Sequence, residues 1–247
     1  MGIFDWPAPA FHLFDSLMAG LIGPFGRVLV WAALCAVISM ALYMLLSPQK
    51  RIRAVKDDLA ASRRALAADD GDDFEAGMAL AKKQLAQSLK LVAVVVGPAV
   101  AASLPALALI VWLGGQYGYA CPASGTSPNI TAEPADATVQ QVDTTPPLWG
   151  EGDCPVVELP AMDAGQTVRV SLDAPIPVLH HREWWNVLIG NPAGYLPDET
   201  PVERVEFDLP VQEIIAAGPG WTRTWELTFF AALILVSLGV KKGFRIE

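Results

Sequence analysis

The densest group of side chains capable of chemistry lies at residues 180–185, which read His-His-Arg-Glu-Trp-Trp. Histidine and glutamate bind transition metals, so His180, His181 and Glu183 form a candidate metal site. Adjacent residues on an extended strand point to opposite faces, however, so the two histidines would not share one ion. We therefore predict no metal here. We expect the tryptophans to pack in a folded domain or to rest at a membrane interface.

Acidic residues surround a glycine at positions 69–73, in the order Asp-Asp-Gly-Asp-Asp. Such a stretch could bind calcium, but it lacks the ligand spacing and the terminal glutamate of an EF-hand loop. We interpret it as the turn of a helical hairpin, whose acids favour the dipole of the following helix. The sequence also contains no nucleophile-elbow motif and no phosphate-binding loop. We therefore expect a protein that is not an enzyme and that has no metal or other cofactor.

Long apolar runs at residues 25–46 and 91–113 dominate the first half of the chain. Each exceeds the roughly 20 helical residues that cross a hydrocarbon core. A third run, residues 221–240, begins with Trp221 and Trp225, as an aromatic belt at an outer interface would. With 53% hydrophobic residues, the chain is too apolar for an ordinary soluble domain. We predict an α-helical membrane protein with three transmembrane helices.

The distribution of charge predicts the orientation of these helices. Residues 47–90 contain nine basic and seven acidic side chains, whereas residues 114–220 contain three basic and fifteen acidic ones. Short loops rich in lysine and arginine stay in the cytoplasm. We predict a multi-pass protein of the inner (plasma) membrane, with the N-terminus outside and the C-terminus in the cytoplasm. So acidic an exterior argues against nucleic acid as a partner.

These features divide the chain into seven segments. They are an extracytoplasmic amphipathic helix (1–24), transmembrane helix 1 (25–46), a cytoplasmic helical hairpin (47–90), transmembrane helix 2 (91–113), an extracytoplasmic β-domain with its linker (114–220), transmembrane helix 3 (221–240) and a cytoplasmic basic tail (241–247). The first segment has apolar residues at three- and four-residue steps, at Phe11, Phe14, Leu17, Met18, Leu21 and Ile22. This pattern is typical of a helix on a membrane surface, and an ordinary leader to the first span is the alternative.

Within 114–220, short β-prone runs predict a small antiparallel, sandwich-like domain after a loose linker at 122–148. The runs are Val156–Leu159, Thr167–Leu172, Val187–Ile189 and Val202–Phe207. Cys121 and Cys154 lie on this side of the membrane, whereas Cys35 lies within the first span. In an oxidising compartment, we expect Cys121 and Cys154 to form a disulfide.

Apolar seams in the hairpin predict a short coiled coil. The first arm carries Ile52, Val55, Leu59 and Leu66, and the second carries Ala79, Leu80, Lys83, Gln84, Leu85 and Leu89. In the second span, Pro98 and Pro105 each remove a backbone hydrogen bond and predict kinks, and Ser103 is available to the carbonyls that they free.

Two charges stand near the predicted outer edge of the spans, Arg27 in the first run and Glu226 at the start of the third. Arg27 is either a positive charge in a hydrated groove or an interfacial anchor that reaches the headgroups. A pairing between Arg27 and Glu226 would neutralise both in a low-dielectric setting.

This order of segments resembles the YidC-like membrane protein insertase superfamily, and most of all its minimal three-helix branch, found in archaea and in the endoplasmic reticulum membrane complex. The resemblance is one of topology and residue character. It is carried by LYMLLSPQKRIRAVKDDLAASRRAL, by FEAGMALAKKQLAQSLKLVAVVVGPAVAASLPALALIVWL and by WTRTWELTFFAALILVSLGVKK.

The resemblance implies a helical bundle with a hydrophilic groove through which client segments enter the bilayer. The groove or client-binding residues would then be Arg27, Ser39, Ser103, Glu226 and Ser237. The hairpin would contact clients or the ribosome through Lys50, Arg51, Arg53, Lys56, Arg63, Arg64, Lys82 and Lys83.

Two functions follow as hypotheses. The first is a membrane protein insertase or chaperone, whose partners are membrane lipids, newly made membrane proteins, and the ribosome or other membrane subunits. The second is a structural or accessory subunit of a larger membrane complex, whose exterior β-domain binds a partner. Polar residues facing one shared interior would favour the insertase. A conspicuous exterior patch would favour the subunit.

Overall fold

The computed structural model describes residues 2–68, 74–123, 125–149, 152–163 and 165–244. The acidic turn predicted at 69–73 and the last three residues of the basic tail lie outside these ranges. The α-helices of the described chain are α1 (Ala8–Ala19), α2 (Pro24–Leu46), α3 (Gln49–Ala67), α4 (Phe74–Tyr117), α5 (Gly220–Arg223) and α6 (Trp225–Phe244). Its strands are β1 (Ile130–Glu133), β2 (Gln140–Thr145), β3 (Cys154–Pro160), β4 (Thr167–Ser171), β5 (Val178–His180) and β6 (Arg204–Phe207).

Among the described residues, three helices are long and apolar enough to cross a membrane, namely Pro24–Leu46, Gly77–Tyr117 and Trp225–Phe244. The last of them begins later than the predicted third span, because Thr224 has an extended backbone between α5 and α6. The protein is therefore mostly helical, with small β-sheets, and has the helices of a multi-pass membrane protein.

The helix α4 runs through Pro98 and Pro105 without interruption. The second arm of the hairpin and the second span are consequently one helix. Ser103 donates its hydroxyl proton to the carbonyl oxygen of Val100 at 2.8 Å. Proline has no N–H, so the carbonyl four residues before each proline loses its usual backbone donor. The Ser103 hydroxyl does not replace that donor.

The chain divides into two compact units. Unit 1 contains Met1–Val30 and Leu107–Phe230, and unit 2 contains Trp31–Ala106 and Ala231–Glu247. Unit 1 thus holds α1, the strands and the ends of three long helices. Unit 2 holds α3 and the greater part of α2, α4 and α6.

The strands of unit 1 form two antiparallel three-stranded sheets, in the orders β1-β6-β5 and β2-β3-β4. Both sheets contribute to one hydrophobic core, with Val157 and Leu159 from one sheet and Val205 and Phe207 from the other. Alternate residues of β6 are buried, as expected for a strand with one face on a core.

Two sequence predictions for this domain are wrong. The expected loose linker at 122–148 contains β1 and β2. Their sequences are largely polar and indicate strands only weakly, because the strands are stabilised by pairing with their neighbours. The expected strand Val187–Ile189 overlaps a 3-10 helix at Trp184–Val187. Asn186 fixes that turn, because its side chain accepts from the backbone N–H of Glu183 at 2.7 Å and donates to the carbonyl of Ile189 at 3.0 Å.

Unit 2 buries the predicted seam of α3, since Ile52, Val55 and Leu59 are all buried. The predicted seam of the second arm is wrong at Leu85 and Leu89, which are each 61% exposed. Leu80 and Gln84 of that seam are partly buried and, together with Gln87, share one face of α4 at three- and four-residue spacing. The inward face of this arm is therefore more polar than its hydrophobic pattern suggests.

Candidate functional site

A buried ion pair ties α1 to the start of α2 within unit 1. The chain reverses at residues 20–23, which contain two glycines and follow the end of α1. The reversal brings Nη1 of Arg27 to 2.5 Å from Oδ2 of Asp15. Tyr117 donates its hydroxyl proton to Oδ1 of the same carboxylate at 2.6 Å. The guanidinium carbon also lies 5.5 Å from the Tyr117 ring centroid, within the range of a cation–π contact.

This arrangement corrects the expectation for Arg27. Its partner is Asp15 and not Glu226, whose side chain is exposed. The Arg27 side chain is 15% exposed and that of Asp15 only 3%, so the two charges neutralise each other largely out of contact with solvent. Asp15 was the residue in the sequence that could have indicated this pair, because it lies one turn from Phe11 and Met18 on the apolar side of α1. A carboxylate buried on such a face requires a cationic partner.

Unit 2 contains a groove of about 440 Å³ on which four helices converge. Its lining residues are Tyr43 from α2, Ile52 and Lys56 from α3, Leu91, Val92, Val95 and Val96 from α4, and Lys241 from α6. Most of the wall is aliphatic, and the two lysines are its cationic lining residues. The groove can therefore accept an apolar segment and bind an acidic or carbonyl group beside it.

Unpaired polar atoms lie close to this groove along α4. The side-chain oxygens of Gln84 and Gln87 are buried and have no hydrogen-bond partner in the described part of the chain. Leu91 and Val95 of the groove wall follow Gln84 and Gln87 at three- and four-residue steps, so all four residues lie on one face of α4. A buried acceptor without a donor costs about 1–3 kcal/mol.

The other residues implied by the resemblance are distributed over both units. Ser39 and Ser237, in unit 2, are partly buried, and Ser103, also in unit 2, is exposed. Arg27 and Glu226 belong to unit 1. Of the eight basic residues expected to contact clients, Lys56 lines the groove. The exposed ones are Lys50, Arg51, Arg53, Arg63, Arg64, Lys82 and Lys83.

The remaining chemistry-bearing residues have structural partners in unit 1. Cys121 and Cys154 form a disulfide with their Cα atoms 4.9 Å apart. His180 Nδ1 lies 2.5 Å from the carbonyl oxygen of His181, and His181 Nε2 lies 2.9 Å from that of Val202. In the ranges that the structure describes, no three histidine, cysteine or acidic side chains are grouped so that they could hold a metal.

No protein-family model, curated protein or solved structure shows significant similarity to this chain.

Proposed function

We propose that this protein is a membrane protein insertase or chaperone of the YidC-like kind, which passes client segments into the bilayer beside its helices. The observation that carries the proposal is the groove of unit 2, with its aliphatic wall and its two lysines. The three candidate spans and the basic hairpin support the same function.

The physical role of such a groove is to lower the cost of taking polar groups out of water. A client segment leaves water with apolar side chains, which the aliphatic wall accepts, and with polar flanks, which cost free energy when unpaired. Lys56 and Lys241 offer positive charge to acidic or carbonyl groups. This function needs binding surfaces and no covalent chemistry.

A photocrosslinking amino acid at Tyr43 tests the proposal, with the same group at Leu45 as the matched control. Tyr43 lines the groove, whereas Leu45 is 76% exposed and points to another side of α2. We expect nascent membrane proteins to crosslink to position 43 and much less to position 45. Equal crosslinking at both positions, or none at position 43, would contradict a client-binding groove.

One observation favours the second function, an accessory subunit that binds a partner through the β-domain. Apolar side chains are exposed together on the loop of unit 1 that follows β5, at Trp184, Val187, Leu188 and Ile189. Contiguous exposed apolar residues mark protein or membrane contacts. Loss of one co-purifying subunit after Val187→Ser, with crosslinking at Tyr43 absent, would select this function.

A further inference from the structure

The stretch before α1 (residues 2–6) and the loop after β5 (residues 184–190) lie against each other within unit 1. The buried Asp5 carboxylate accepts from one backbone N–H of each, that of Gly2 at 2.6 Å and that of Gly190 at 2.8 Å. A further backbone hydrogen bond of 3.0 Å joins the two segments. A Cβ on Gly2 would lie 2.5–2.7 Å from backbone atoms of the loop, so only glycine permits this approach. The two segments therefore form one surface, which we call the apolar ledge.

The apolar ledge exposes large hydrophobic side chains from both segments. They are Ile3, Trp6, Trp184, Trp185, Val187, Leu188 and Ile189. Trp6 and Trp184 are 85% and 81% exposed, more than any other tryptophan in the described chain. Apolar side chains of this size, exposed together, indicate a surface that another molecule covers.

The lack of exposed charge on the ledge favours lipid as that molecule. Residues 2–6 and 184–190 contain a single charged side chain, Asp5, which is buried and accepts the two N–H groups. Residues 114–220 as a whole, by contrast, are strongly acidic. Tryptophan and aliphatic side chains without charge are typical of surfaces that lie at the headgroup boundary of a bilayer.

The ledge also lies next to the ends of candidate membrane spans. Beyond Trp6 along the chain, Leu13, Leu17 and Leu21 are exposed, and the exposed Phe25 continues this apolar surface into α2. The ledge borders a cavity of about 980 Å³ in unit 1, together with α1, β5, β6 and the last turns of α4. Both α2 and α4 are long and apolar enough to cross a membrane. The apolar surface of the spans therefore continues towards the ledge.

We propose that the apolar ledge inserts into the headgroup boundary of the lipid bilayer on the side where α2 begins, and thereby holds the β-domain against the membrane. The tryptophan rings lie at the level of the headgroups, and the aliphatic side chains of the loop reach the start of the acyl chains. Because the ledge has no exposed charge, it requires neither anionic lipid nor low salt. This inference goes beyond the proposed insertase function and does not depend on it.

An environment-sensitive fluorescent amino acid at position 184 tests the proposal, with position 162 as the matched control. Met162 is 68% exposed and lies between β3 and β4, outside the ledge. The full chain is reconstituted into phosphatidylcholine vesicles that contain either a lipid with a nitroxide near its headgroup or iodide on both sides of the membrane. We expect the nitroxide lipid to quench position 184 and not position 162. The iodide quenching constant should be about threefold lower at position 184, because the headgroup boundary excludes iodide.

A charge on the other segment tests whether the ledge acts as one surface. Ile3→Glu changes a residue that is 64% exposed, so the melting temperature should stay that of the wild type. The variant should raise iodide quenching at position 184 about twofold, because a carboxylate resists transfer out of water. Met162→Glu makes the same change outside the ledge and should leave position 184 protected. High salt should also leave position 184 protected, since the contact involves no charge attraction.

Several results would overturn the proposal. Equal iodide quenching at positions 184 and 162, without quenching by the nitroxide lipid, would place the loop in water and leave it free for a protein partner, as the second function requires. Protection of position 184 from both quenchers would assign the ledge to a contact between copies of this chain. Unchanged quenching at position 184 in Ile3→Glu would show that the two segments do not enter the bilayer together. Loss of lipid quenching at high salt would show that charge, and not apolar surface, holds the loop to the membrane.

Discussion

Replacing Arg27 with alanine should destabilise the protein by leaving the Asp15 carboxylate buried without its cation. At 2.5 Å and an effective dielectric constant of about 20, the Coulomb attraction of the pair is about 7 kcal/mol before desolvation is subtracted. Removal of one partner of a buried pair costs about 3–5 kcal/mol in practice. For a chain of this length, each kcal/mol corresponds to about 2–4 °C, so we expect Tm to fall by at least about 6 °C.

The free thiol of Cys35 provides the assay. It is buried, and the other two of the three cysteines form the disulfide. Heating with a thiol-reactive fluorescent dye therefore reports unfolding as Cys35 becomes accessible. Tyr117→Phe removes one hydrogen bond to the Asp15 carboxylate, worth about 1.5–3 kcal/mol, and should lower Tm less than Arg27→Ala does.

A double-mutant cycle isolates the interaction itself. Asp15→Asn combined with Arg27→Gln removes both charges, so this pair should melt closer to wild type than Arg27→Ala alone. Arg27→Lys should fall between them, because lysine keeps the charge and loses the planar fork. A Tm for Arg27→Ala within 2 °C of wild type would refute the reasoning. So would strict additivity of the effects of Asp15→Asn and Arg27→Gln on the free energy of unfolding.

Three further predictions concern the disulfide, a histidine and the orientation of the chain. Replacing Cys121 and Cys154 with alanine should cost about 3–4 kcal/mol in the chain-entropy model for a separation of 33 residues, measured as lower Tm, and an unchanged Tm would contradict it. Because burial lowers the pKa of His12 below 6.5, the unfolded state takes up a proton at a higher pH than the folded state does. Tm should therefore fall as the pH drops below 6.5, and His12→Gln should make Tm depend less on pH. An equal dependence of Tm on pH in both proteins would contradict this role of His12. Cysteine at exposed Ala61 should resist labelling from outside intact cells while cysteine at exposed Thr126 reacts, and the reverse result would invert the proposed orientation.

The sequence predicted the three apolar helices because their length and composition are set by local residues alone. The same is true of the buried face of α3, where Ile52, Val55 and Leu59 repeat at helical spacing. The strands β1 and β2 were missed because they depend on pairing with β6 and β3, which their own mostly polar sequences do not indicate.

The candidate site was less predictable because it depends on which faces meet. Asp15 pairs with Arg27 only because the chain reverses after α1, and sequence spacing does not fix the angle of that turn. Gln87 was overlooked because leucines nearby gave a stronger hydrophobic pattern, yet Leu85 and Leu89 are the exposed residues. The cavity of unit 1 combines α1, α4 and the β-domain, so no local pattern could have shown it.

The measurement that bears most directly on the proposed function is insertion of a short single-span client into proteoliposomes, read as the fraction protected from protease. The wild-type protein should raise protection well above that of empty liposomes. Lys56→Glu with Lys241→Glu should abolish the gain, because it reverses the charge of the groove lysines. Lys90→Glu with Lys242→Glu makes the same charge change at exposed positions of α4 and α6 outside the groove and should retain most of it. No gain with the wild-type protein, or an equal loss in both variants, would contradict insertion through this groove.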